Sequence, residues 1–379
     1  MAETIEQDAT KYPGFTGECH PGPFTTMPAQ PTEKKPGQLP LEKVQEYFDQ
    51  GFTVVEGFFT EEEIEPCRQS FARLIDNIAQ KLYDTGKVKN LYSECNMSER
   101  LIRLEKEWPG AVLMLLKLGK LTPEFEAMYQ NEKLLNAIEQ LVGPEIGASP
   151  VWNTRPKTPS HKETDVPWHQ DSAYFDLESY KSLIATAWIA FVDATEENGC
   201  MQFVRGGQRK GMVVVHECCD NFYLMIKEDE LVNRLGVDPE KDFITCPVKA
   251  GGVIFFSNMV PHRSIQNRSD HIRFAMDLRY QDPNRPWGFY GMSKGILLRS
   301  PAKPDNIPDW DFYGNQDRYS KIDKLVEKKS GDHLDEFSPF LTGPHMDAWK
   351  VAVPSIHTEQ FFKEQREKEK QQQQEQQQQ

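Results

Sequence analysis

The sequence contains no apolar run near the roughly 18 residues that a membrane-spanning helix requires, so it offers no candidate span. Thiol chemistry is sparse as well. The seven cysteines, Cys19, Cys67, Cys95, Cys200, Cys218, Cys219 and Cys246, are odd in number and nowhere show C-x-x-C spacing. That excludes a disulfide-knit fold and a thiolate zinc site and predicts free thiols in a reducing compartment. The vicinal Cys218 and Cys219 are read the same way, as plain thiols rather than a redox pair. Basic residues are outnumbered, 44 against 58 acidic, for a formal net charge of -14. Nucleic acid and anionic membrane are therefore poor partners, while a local basic pocket stays compatible with the balance. The first twenty residues hold several acids and no apolar stretch, and the last are glutamines rather than S-K-L. The expectation is a cytoplasmic protein. No fixed-period repeat is present, which excludes a solenoid.

What is there is a globular composition: 379 residues, 38% hydrophobic and 11% aromatic, enough to bury one large core. Residues 1–38 are rich in Pro, Thr and Lys without periodicity and are expected to form a flexible or surface-wrapped arm. Residues 39–355 carry the domain. Residues 356–379 become Gln, Glu and Lys only after Phe362, apart from one arginine, and read as a solvated tail. Leu41, Val44, Tyr47 and Phe48 recur at helical spacing, and Gly51 then leads into the strand FTVVEGFF. Thr60 and Glu63 have the spacing of a capping box, predicting a helix through Ile64, Cys67, Phe71, Leu74 and Ile75 to about Leu82. Further helices are expected over 98–106, 111–118 and 131–142.

From about Gly147 the texture changes to short β-rich runs, SPVWN, LIATAWIAFVD, CMQFV, GMVVV, VIFFSN and HIRFAMDLRYQ, separated by Gly, Asn, Asp and Pro. Helices first and strands later predict a mainly β core with flanking α-helices. The last run alternates cleanly, with Ile272, Phe274, Met276, Leu278 and Tyr280 on one face. Arg273, Ala275, Asp277 and Arg279 share the other, which in a barrel-like sandwich faces a polar cavity where each arginine needs an anionic partner.

Within VPWHQDSAYF, His169 and Asp171 stand at i and i+2, so on an extended chain both project to one side. His262, at the end of the run Val253 to Phe256 and its turn, supplies a second imidazole. Two imidazoles and a carboxylate form a facial triad that binds iron(II) and leaves positions open for chemistry. Zinc accepts the same donors, with one water in a hydrolase site. Arg273, eleven residues after His262, favours iron because its guanidinium can fork onto the far carboxylate of a chelating 2-oxo acid.

At these residues the chain resembles the phytanoyl-CoA dioxygenase family of iron(II)/2-oxoglutarate oxygenases, over roughly Leu41 to Asp282. The resemblance rests on FDQGFTVVEGFFTEEEI, WHQD, AWIAFVDATEENGCMQFVRGGQRKG and PHRSIQNRSDHIRFAMDLRYQ in that order. It implies a double-stranded β-helix (jelly-roll, cupin-like) core, iron bound by His169, Asp171 and His262, and Arg273 on the C5 carboxylate of 2-oxoglutarate. It further implies Ser264, Trp188 and Gln170 as cosubstrate contacts, although Gln170 lies between the two ligands on an extended strand and should point away. The implied reaction consumes dioxygen and 2-oxoglutarate, releases succinate and carbon dioxide, and hydroxylates a small-molecule or lipid-derived substrate. Asp171 stands where related halogenases carry a small residue, which favours hydroxylation. Ser172, Tyr174, Asn153, Arg155 and Lys157 are candidates for substrate contact, with a barrel-rim or solvated-loop role as the simpler reading. Residues 216–243 read as an inserted lid and 283–350 as an aromatic-rich extension, either over the mouth or outside the sheet. A non-catalytic metal- or ligand-binding relative of the same fold, and a zinc hydrolase, remain as alternatives, and neither substrate nor oligomeric state is legible.

Overall fold

The computed structural model describes residues 17–176, 179–289, 293–316, 337, 340–343 and 345–377. Helix α1 (Leu41–Gln50) buries Val44, Tyr47 and Phe48 and ends at Gly51, whose left-handed φ of 91° turns the chain into strand β1 (Phe52–Val55). Leu41 itself, at the helix start, is exposed. The capping box forms as the spacing predicts: the Thr60 hydroxyl accepts from Glu63 N, the Glu63 carboxylate accepts from Thr60 N, and α2 runs Glu61–Asp84. Helices α3 (Met97–Glu107), α4 (Ala111–Leu116) and α6 (Glu132–Val142) match the expected positions. Helix α5 (Pro123–Tyr129) was not expected, although Thr122 as N-cap and proline at the first helical position are its signal.

Among the described residues the paired strands run antiparallel and form two facing sheets and a separate two-stranded hairpin rather than a closed barrel. The larger has the order β1, β9 (Val253–Ser257), β4 (Ile184–Ala190), β11 (Ala275–Gln281), β2 (Ile146–Ala148) and β12 (Ile296–Arg299), with β3 (Asn153–Thr154) also on β11. The smaller is β10 (His262–Ser264), β5 (Met201–Val204) and β8 (Phe243–Cys246). Period-two alternation gives the larger sheet two buried faces, one apolar and one that mixes apolar with charged side chains. Ala187, Ile189, Phe255, Phe274, Met276 and Leu278 face the helices, whereas Trp188, Ile254, Phe256 and Ala275 face Met201, Phe203 and Cys246 of the smaller sheet. Phe71 of α2 locks the helical layer on, with ring centroids 5.0, 5.5 and 5.3 Å from Phe125, Phe191 and Phe274.

GMVVV does not form a strand. Val214 N donates to the Gln170 side chain and its carbonyl accepts from the His216 ring, so its ladder groups are already spent. Pairing resumes in a hairpin of β6 (Glu217–Asp220) and β7 (Tyr223–Met225). Cys218 and Cys219 are buried and joined by a disulfide across a cis peptide bond, contrary to the expected free thiols. Of the extension, β12 adds an edge to the larger sheet, and Trp310 and Tyr313 pack on Tyr129 of α5, outside the sheet; residues 290–292, 317–336, 338–339 and 344 lie outside the described residues. In the N-terminal arm, Phe24 is buried and Pro36 accepts from Asn136. At the other end α7 (Ile356–Gln377) begins with Phe361 buried against the Cys218 and Trp349 cluster. Among the described residues no helix is long and apolar enough to cross a membrane.

Because Phe71 fills a fully enclosed site, Phe71→Ala is expected to cost roughly 3–5 kcal/mol, against about 1 kcal/mol for the cap variant Thr60→Ala. Chemical denaturation of both variants checks the order.

Candidate active site

His169 and His262 are brought together by the backbone. Each donates its amide N–H to the other's carbonyl, at 3.0 and 2.9 Å, in an isolated antiparallel bridge at the end of β10. Both rings lie nearly buried with centroids 4.2 Å apart. His169 Nδ1 is 2.9 Å from the Pro167 carbonyl and His262 Nδ1 3.0 Å from that of Val260. A carbonyl only accepts, so each Nδ1 carries a proton, which leaves each Nε2 facing inward as the atom that could meet a metal. Asp171 opens a 3-10 turn (Asp171–Tyr174) that swings its carboxylate alongside, with Oδ1 3.6 Å from His169 Nε2 and 3.9 Å from His262 Nε2. The three donor atoms lie within 4.8 Å of one another, a spacing at which one cation can meet them all.

The electrostatics suit ligands. Burial alone would raise the Asp171 carboxyl, but the Arg279 charge and the two imidazoles outweigh it and hold the group well below the usual carboxylate range. Burial, followed by repulsion from His169, pushes His262 down to about 3, so its ring is neutral at pH 7.

Beside these groups lies a cavity of about 430 Å³ including its open mouth, lined by His169, His262, Trp188, Ser264, Arg273 and Lys157 among others. The Arg273 guanidinium sits 5.0 Å over the Trp188 ring. It is 3% exposed, and its Nε and Nη1 have no partner among the described residues. Burial lowers it to about 10, against the pull of Asp277. A buried cation with two idle donors is suited to pairing with an anion. Lys157 stands next to it: its ammonium donates to Ser264 Oγ at 3.0 Å, Asp165 Oδ1 at 2.8 Å and the Thr164 carbonyl at 3.0 Å. Burial lowers Lys157 to about 8.

Of the residues singled out in the sequence, His169, Asp171, His262, Arg273, Ser264 and Trp188 converge. Gln170 does not, for the alternation reason: it turns away, donating to the Met212 and Met259 carbonyls and accepting from Val214 N. Ser172 pairs with Asn258, and the Tyr174 hydroxyl accepts from Leu224 N of the hairpin. The basic stretch 153–157 corrects the solvated-loop reading. β3 and the Lys157 to Arg273 bridge carry it along β11, so Lys157 is buried and Arg155 ion-pairs with Asp277 at 2.6 Å inside the cavity. Its period-two pattern of Asn153, Arg155 and Lys157 was the missed signal. Tyr223, from the segment read as a lid, lines the same cavity. Since Gln170 stitches loops rather than facing the cavity, Gln170→Leu is expected to lose about 1–3 kcal/mol of stability while leaving metal affinity unchanged, as paired denaturation and metal-titration measurements would show.

The sequence profile of the phytanoyl-CoA dioxygenase (PhyH) family matches residues 47–275, more than half of the chain. A phytanoyl-CoA dioxygenase domain-containing protein 1 homolog of Dictyostelium discoideum is 23% identical over 271 residues, 64% of this chain and 91% of the relative. The peroxisomal phytanoyl-CoA dioxygenase of Rattus norvegicus is 26% identical over 252 residues, 56% of this chain and 72% of its own. Among solved structures, the apo form of the non-heme monooxygenase ThoJ superposes with a TM-score of 0.51 at 18% identity, over 76% of this chain and 99% of that one. EctD from S. alaskensis, in its apoform, gives 0.50 at 16% identity, over 74% and 92%. The two structural likenesses speak for the fold, and the profile match, laid over the strands that carry the cavity, decides the family: the chain belongs to the phytanoyl-CoA dioxygenase (PhyH) family of iron(II)- and 2-oxoglutarate-dependent oxygenases.

Proposed function

We propose that His169, Asp171 and His262 hold iron(II), that Arg273 and Ser264 hold the C5 carboxylate of 2-oxoglutarate with the Lys157 charge behind Ser264, and that the protein hydroxylates a small-molecule or lipid-derived substrate. The balanced reaction takes a substrate C–H, dioxygen and 2-oxoglutarate to the alcohol, succinate and carbon dioxide. The carrying observation is the pair of idle buried donors on Arg273, in a cavity that the His169 and His262 rings also line, with the Asp171 carboxylate beside those rings. The residues therefore fit both groups. Bound there, the metal supplies dioxygen activation coupled to oxidative decarboxylation of the 2-oxo acid.

The chain's own contribution is placement and exclusion. The Nδ1–H bonds to Pro167 and Val260 stop the imidazoles from rotating. Trp188, beneath the guanidinium, shapes the slot in which a five-carbon diacid would lie. Phe203 and Phe256, centroids 5.7 and 4.6 Å from the His262 ring, keep water from that side. Tyr223 and Leu116 line the remaining part of the cavity, where the target carbon would be held.

Two outcomes check this reading. His262→Ala is expected to abolish 2-oxoglutarate-dependent succinate formation in a protein that still folds by circular dichroism, whereas full turnover without this imidazole would contradict the metal assignment. Arg273→Leu is expected to raise the KM for 2-oxoglutarate by roughly 100-fold. The pH dependence follows from Lys157. Its ammonium, lowered to about 8, is charged below that pH and loses its proton above it, so the same KM should climb as pH rises past about 8. A KM flat from pH 7 to 9 in steady-state assays would remove Lys157 from the carboxylate site.

A further inference from the structure

β11 sends a second arginine into the same interior. Arg279 lies beyond the residues matched by the family profile and is 2% exposed. Its Nε donates to Asp171 Oδ2 at 3.0 Å, and its Nη2 to Asp171 Oδ1 at 3.1 Å and Asp277 Oδ2 at 3.3 Å. With its oxygen turned inward, the Asn153 amide accepts from Nη1 at 3.1 Å. The backbone beneath is pinned as well: the Tyr129 hydroxyl donates to the Arg279 carbonyl at 2.5 Å and accepts from Arg279 N at 3.2 Å. Every direction in which this side chain could relax is occupied.

Resting on the iron-site reading above, we infer that Arg279 is a positioning residue that fixes the plane of the Asp171 carboxylate, turning Oδ1 toward the two imidazoles and keeping Oδ2 engaged. The terminal torsion of an aspartate is broad, so an unrestrained carboxylate would rotate and could chelate a cation with both oxygens. A planar guanidinium fork removes that freedom, and an ammonium cannot, because it is a point charge. The Thr186 hydroxyl, 3.4 Å from Oδ2, holds the same oxygen from the neighbouring strand. The positive charge itself opposes a nearby cation. The network offsets it, since Asp277 accepts from both Arg279 and Arg155, leaving two carboxylates against two guanidiniums. Geometry, not charge, is therefore what Arg279 contributes, and a charge-conserving substitution isolates it.

The test is equilibrium titration of the metal-free full chain with Mn(II) alone, with no turnover involved. Arg279→Lys, which keeps the charge and loses the fork, is expected to weaken Mn(II) binding by roughly 10- to 100-fold. Leu82→Ala in α2, remote from the site, serves as the stability control and is expected to bind as wild type. Wild-type affinity in Arg279→Lys, or a loss no greater than in Leu82→Ala at a comparable melting temperature, overturns the inference. His262→Ala separates the two levels: if it too binds Mn(II) normally, the iron site fails, and if it alone loses binding, only the Arg279 role fails. Should Arg279→Lys not fold, a crystal structure of the wild-type chain with Mn(II) decides instead. One Asp171 oxygen on the metal with Oδ2 still on Arg279 supports the inference, and two-oxygen chelation with Arg279 displaced overturns it.

Discussion

Two backbone hydrogen bonds between His169 and His262 couple segments far apart in the chain, and the polar groups of the candidate site are arranged around them. They put two imidazoles side by side with ring planes tilted by 54°, and the 3-10 turn that follows the first delivers a carboxylate to the same point. The bridge holds because β10 pairs with β5 and the smaller sheet packs its Phe203 against Phe52 and Phe256 of the larger. Packing between the sheets thus fixes the distance between the three donor groups, and the apolar wall it builds desolvates them.

The cavity-facing side of β11 shows what such a site costs. Arg273, Asp277 and Arg279 are buried on a strand whose other face is wholly apolar. Buried charges are tolerable when paired, and Arg155, Asp277, Arg279 and Asp171 form a mutually satisfied set. Arg273 breaks the rule, with two donors idle. A stable fold gains nothing from two idle guanidinium donors next to the Trp188 ring, and that exception is what supports the proposed carboxylate site. Lys157, lowered to about 8 by the same burial, extends the electropositive end.

Much of this is legible in the sequence itself. The His-x-Asp pair, the distal histidine and Arg273 were found from spacing and alternation, and the capping box and most helices follow from local chemistry. What escaped depended on contacts between distant segments. Nothing local says that Lys157 is buried, because its burial comes from pairing with β11 rather than from its neighbours in sequence. GMVVV has strand composition yet lies irregular, because Gln170 and His216 take its hydrogen bonds. The alternation on β11 required partners for both arginines but could not name them; the fold gives Arg279 to Asp171 and leaves Arg273 open.

The account stands on one cation and one 2-oxo diacid sharing this cavity. Anaerobic addition of 2-oxoglutarate to the protein loaded with one equivalent of iron(II) tests that directly, since a 2-oxo acid chelating iron(II) absorbs in the visible. A saturable visible band is expected in the wild-type chain, and its loss in His262→Ala. No band in the wild-type chain, or an undiminished band without the His262 imidazole, would contradict the shared site.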